Sequence, residues 1–116
     1  MAIQSVAIDP TAQLPETNVD LFTSTGSNAV TTVMVCNKAV YDENNPTDGL
    51  TYLTLHLVAS GAGITDTNMI VNRLPVPAGE TVTFDTEKIV LEDGDRVVAS
   101  SQSPYNLVAT VSTLEV

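Results

Sequence analysis

The chain holds a single histidine, His56, and a single cysteine, Cys36, and these are the first residues to test for chemistry. A histidine can act as the base of a Ser–His–Asp triad or activate a thiol in a Cys–His pair. No serine stands in a Gly-x-Ser-x-Gly turn, the elbow that presents a hydroxyl nucleophile. His56 lies in residues 51–59, where Leu53, Leu55 and Leu57 alternate with Thr54, His56 and Val58. Its parity places it opposite the leucine face, as a solvated or interface strand residue rather than a base. Cys36 follows Val33, Met34 and Val35, and this apolar company predicts a buried, inert thiol.

Carboxylates are the other supply. Asp42, Glu43, Asn44, Asn45 and Asp48 could offer oxygens to calcium, but their spacing lacks the EF-hand frame and its closing bidentate glutamate. Residues 42–49 read instead as an acidic, solvated loop of turn formers. Glu92, Asp93 and Asp95 crowd a second turn, where Asp-Gly between two strands signals a hairpin. A carboxylate pair working on a sugar needs a cleft, usually an aromatic one. The chain has no Trp, and Tyr41, Tyr52 and Tyr105 are far apart. Gly61-Ala-Gly63 lacks the further glycine and the following helix of a phosphate cradle. The residues therefore predict a non-enzymatic protein with no catalytic, cofactor-binding or metal-ligating side chains, and no cofactor.

Charge narrows the partners. Fourteen acidic residues face four basic ones, for a formal net charge of -10. Lys38, Arg73, Lys88 and Arg96 are too few and too scattered to neutralise nucleic-acid phosphates or hold an anionic membrane surface. An acidic surface keeps an abundant protein soluble until a specific partner captures it. One cysteine excludes an intramolecular disulfide, and no apolar run is long enough to span a membrane. The opening Met1-Ala2-Ile3-Gln4 has no signal-peptide pattern, so synthesis and folding in a cytoplasm are expected.

These residues must be positioned by strands. The length of 116 residues suits one domain with one modest core. Apolar residues, 43% of the chain, are mostly Val, Ala, Leu and Ile, which suit stacked pleated surfaces, and part of that surface could serve a subunit interface. Strands are predicted near 3–7, 19–24, 29–37, 51–59, 81–84, 88–91, 96–100 and 106–114, with 33–36 apolar enough to suggest burial on both faces. Residues 65–74 are ambiguous between an irregular strand and a helical turn begun by Thr65 or Asp66. Pro10 and Pro15 restrain an extended N-terminal arm, and we place it at residues 1–18 with the folded domain at 19–116. About eight strands at this spacing predict an all-β fold: a single antiparallel β-sandwich, Ig-like or jelly-roll-like.

Leu74-Pro-Val-Pro-Ala-Gly-Glu-Thr-Val-Thr-Phe84 is followed by Ile89-Val-Leu-Glu-Asp-Gly-Asp-Arg-Val-Val-Ala-Ser100 and a closing Val108-Ala-Thr-Val-Ser-Thr-Leu-Glu115, with Leu21-Phe-Thr-Ser-Thr and Val33-Met-Val-Cys-Asn37 upstream. In that order the segments resemble small β-sandwich virion proteins of tailed bacteriophages, over residues 19–116. The resemblance implies a structural role, with no catalytic residues to carry over. It makes the expected function that of a capsid decoration or cement protein on the outer surface of the head, bound as a homo-oligomer to the major capsid protein or other virion subunits. Strand edges and the N-terminal arm would make the contacts. The alternatives are a tail, baseplate or fibre-adaptor subunit and, from another class, a glycan- or receptor-binding module.

Overall fold

The computed structural model describes residues 2–8, 18–84, 89–101 and 106–116. Its strands are β1 (Ala2–Ala7), β2 (Asn18–Thr23), β3 (Asn28–Asn37), β4 (Thr51–Val58), β5 (Met69–Val76), β6 (Thr81–Phe84), β7 (Ile89–Leu91), β8 (Arg96–Ser101) and β9 (Leu107–Glu115). One sheet runs β1-β9-β3 and is completed along β3 by both β6 and β7. The other runs β2-β8-β4-β5. Every pairing is antiparallel.

β6 and β7 follow one another along the same side of β3, β6 against Val33–Cys36 and β7 against Asn28–Val30. They act as one interrupted edge strand. Counted that way, eight strands divide between the sheets in the orders 1-8-3-6 and 2-7-4-5, a jelly roll rather than an immunoglobulin-like arrangement.

Period-two alternation builds the core. Val33 and Val35 on β3 and Ala109 and Val111 on β9 point inward. They meet Leu53 and Leu55 on β4 and Val97 and Ala99 on β8. Each Val or Leu side chain among them contributes about 1.5–3 kcal/mol on full burial. A bulge between Val30 and Thr32 keeps β3 in register with β9, so Val30 and Val33 both face inward despite their odd spacing.

Several expectations change. The boundary at 18/19 does not hold for residues 2–8: Ala2–Ala7 pair along β9 and Ile8 is fully buried, its carbonyl accepting from Ser101 Oγ at 2.9 Å. These residues belong to the sandwich; residues 9–17 lie outside the described set. The ambiguous stretch 65–74 is both of its alternatives in turn, a 3-10 turn at Asp66–Asn68 leading into β5. Residues 33–36 are not buried on both faces, because Met34 and Cys36 point outward and are exposed. The Asp-Gly turn does not close a hairpin. β7 pairs with β3 and β8 pairs with β2 and β4, so residues 92–95 carry the chain around a corner from one sheet to the other.

Candidate interaction surface

The two residues with the most reactive side chains lie on opposite outer faces. Cys36 is exposed on β3; His56 is buried on the outer side of β4. The thickness of a two-sheet sandwich, about 10 Å between sheet planes, separates them, so they form no thiol–imidazole pair. The expectation that Cys36 is buried is overturned, since alternation along a strand turns every second residue of an apolar run outward.

His56 is not a solvated strand residue either. It sits opposite the fully buried Val98 on β8, beneath the loop that ends in the 3-10 turn. Asn68 Nδ2 donates to Gly63 O at 2.9 Å, while its Oδ1 accepts the Thr65 N–H at 3.2 Å and lies 2.8 Å from His56 Nδ1. With Asn68 Oδ1 fixed as an acceptor, His56 Nδ1 carries the proton and donates. The pair pins the loop over the sheet. Sequence patterning missed it because the covering residue lies twelve positions downstream in a loop.

The acidic clusters hold the fold's corners. Asp42 Oδ1 accepts the Asn44 N–H at 2.9 Å and Oδ2 accepts from Asn45 Nδ2 at 3.3 Å, and these bonds hold its carboxyl below the usual range. Asn37, buried, anchors the same loop: its Nδ2 donates to Gly49 O at 2.7 Å and to Val76 O at 2.9 Å, and its Oδ1 accepts the Ala39 N–H at 3.0 Å. At the 92–95 corner, Asp95 accepts the N–H groups of Glu92 and Ser60, each at 2.9 Å, and these also hold its carboxyl low. Asp93 Oδ1 takes the Gly26 N–H at 2.9 Å. Gly94 closes the turn at φ +86, with Ser60 so near that a Cβ would collide with its side chain. Among the described residues no group of three or more His, Cys, Asp or Glu comes together as a metal site.

Tyr41 is half-exposed in the 42–49 region and Tyr52 lies on β4 with the Arg73 guanidinium 5.3 Å over its ring, so the two make no stacking platform; Tyr105 lies outside the described residues. An apolar cavity of about 410 Å³ opens between the sheets, lined by Val30, Leu55, Ile70, Val71, Phe84 and Ile89, with no acid, base or thiol among the described residues of its lining.

The feature that stands apart is the outer face of the β1-β9-β3 sheet. Its outward rows, read across the register, are Val90–Ala29–Leu114, then Thr32–Ser112–Ile3, Thr83–Met34–Thr110 and Thr81–Cys36–Val108. Ile3, Val90, Leu114 and Met34 are 71%, 65%, 45% and 41% exposed. None of these residues carries a charge, and Glu115 at the tip of β9 is the one charged residue in the five strands. In a protein of net charge -10, the other charges of the described residues lie in loops, in corners and on the other sheet, and none stands in these outward rows. Comparison with known proteins finds no matching family model, curated protein or solved structure.

Proposed function

We propose that this chain is a non-enzymatic structural protein of a tailed-phage virion, a decoration or cement subunit on the outer surface of the major capsid lattice. The observation that carries this reading is the segregated surface: a sheet face whose described outward residues are uncharged and partly apolar, on an acidic jelly roll. Exposed apolar patches of this kind mark interaction sites. The jelly-roll topology adds support by analogy, since it recurs in viral capsid domains as well as in lectins. The order of the turn motifs across residues 74–115 points the same way. Net negative charge favours the outside of a DNA-filled shell over its lumen. A protein that binds only the assembled shell stabilises it by mass action.

The test is co-sedimentation of the purified chain with expanded, undecorated capsid shells and, in parallel, with purified tails. Saturable binding at hundreds of copies per shell, with increased resistance of the shells to heat, supports the reading. Binding to tails alone assigns the chain to the tail or baseplate, and binding to neither, with retention on a glycan array, makes it a receptor-binding module.

A further inference from the structure

We infer that the uncharged outer face of the β1-β9-β3 sheet is a two-fold interface on which a second copy of this chain packs, sheet against sheet. The inference goes beyond the virion reading: it gives this face to a second copy of the chain, so that contacts with a shell would fall to the strand edges and acidic loops of the dimer. In a two-fold interface the same patch meets itself, so each residue near the axis faces its own kind. For an acidic chain, any patch bearing carboxylates would then set like charges together, and basic residues to offset them are scarce. Of the four, Arg96 is engaged by Asp20 at 3.0 Å, Arg73 lies over Tyr52, Lys38 is at the start of the acidic loop, and Lys88 lies outside the described residues. The outer rows of β3 and its neighbours avoid this conflict, being built from Thr, Ser, Ala, Val, Met, Leu and Ile with one Cys. A different, basic partner would gain from carboxylates on its docking face, whereas a second copy requires their absence. This distinction selects the occupant.

The dimensions fit. Ten residues of β3 and four strands across give a face of roughly 30 by 20 Å, about 600 Å² per copy and about 1,200 Å² for the pair, the lower bound for a specific interface. Short β-branched side chains present a level surface, and Met34 near its centre can adapt to its own copy. Pairing here leaves the acidic loops and corners free on the outside of the dimer.

The experiment is sedimentation equilibrium of the full chain under reducing conditions, over a range of concentrations and at low and high salt, with the rate of Cys36 alkylation followed in the same samples. A dimer is expected, strengthened by salt because screening weakens the mutual repulsion of two acidic copies. Cys36, exposed in the single chain, should react more slowly as the dimer forms. Met34→Glu should raise the dimer dissociation constant by about a hundredfold or more, and Asn72→Glu, exposed on β5 of the other sheet, should leave it unchanged. A monomer at every concentration with Cys36 freely reactive overturns the inference, as does a dimer that persists in Met34→Glu with Cys36 unprotected. If Met34→Glu fails to fold, the Cys36 rates of the unsubstituted chain decide alone. No shells are present, so either outcome leaves the shell-binding test independent.

Discussion

The outer faces of the two sheets are made by the same alternation of side chains, yet their surroundings differ. Over β4 and β8 the face is closed by part of the chain: the loop leading into the 3-10 turn lies across it, Asn68 clasps His56, and Val98 is fully buried. Further along, the same face carries the Asp20–Arg96 ion pair, and Arg73 over Tyr52. Over β3 and β9 there is no ion pair among the described residues, and Met34, Cys36 and Leu114 are exposed. One face is finished within the molecule, while over the other no loop of the described residues is clasped in this way. The difference lies in the placement of charge and of one loop.

The same substitution on the two faces separates them most sharply. Val98→Asp places an unpaired carboxylate under the loop and is expected to cost about 3–5 kcal/mol. Met34→Asp on the open face is expected to cost less than about 1 kcal/mol in the folding of the single chain, since surface positions tolerate such changes. Urea denaturation of both variants at low protein concentration measures the contrast; equal losses would erase it. Asn68→Ala removes the acceptor of a buried imidazole N–H and should destabilise by about 1–3 kcal/mol, with protease cutting increased within residues 59–68.

Asp95 tests the corner that links the sheets, through pH. Its folded carboxyl is held low by the Glu92 and Ser60 N–H groups. Its contribution to stability is therefore complete above the ordinary aspartate value and is lost as pH falls through that value towards the folded one. Thermal melts of Asp95→Asn and the unsubstituted chain should differ at neutral pH and converge in acid; a gap independent of pH would remove the carboxylate from the account. Smallest of all, Asp20→Asn should change stability by no more than about 1 kcal/mol, since the pair with Arg96 is partly exposed, and the loss should shrink with added salt.

Much of the sandwich was legible in the sequence. The alternation of Leu53, Leu55 and Leu57 marked an inward face, and Leu53 and Leu55 are in the core with Leu57 against it. Turn residues located most strand ends to within a residue or two. Long-range facts were not legible. Asp-Gly at 93–94 looks the same whether its flanking strands pair with each other or with strands of two sheets, because only partners distant in sequence decide between a hairpin and a corner. Cys36 read as buried because an apolar run usually means two covered faces, and the sequence does not distinguish a covered face from one left open. His56 read as a solvated or interface residue because its cover is a loop, and loops carry no period. The candidate surface is visible only once β1, β3, β6, β7 and β9 stand side by side, since no segment alone shows that the missing charges belong to one plane.

The edges of the sandwich bear on how such a chain behaves when crowded. β5 carries register shifts opposite Leu53–His56, a left-handed Arg73 at φ 51 and a proline, Pro75, within the strand. β2 is shifted between Asp20 and Phe22. The opposite edge of the β3 sheet is broken into two short strands of four and three residues. Bulges, prolines and broken strands deny an incoming chain the straight row of amide groups that fibrils extend. Three of the four edges are blunted in this way. Growth by endless strand addition is thereby discouraged at these three edges, which protects a concentrated solution of the folded chain from gelling by that route.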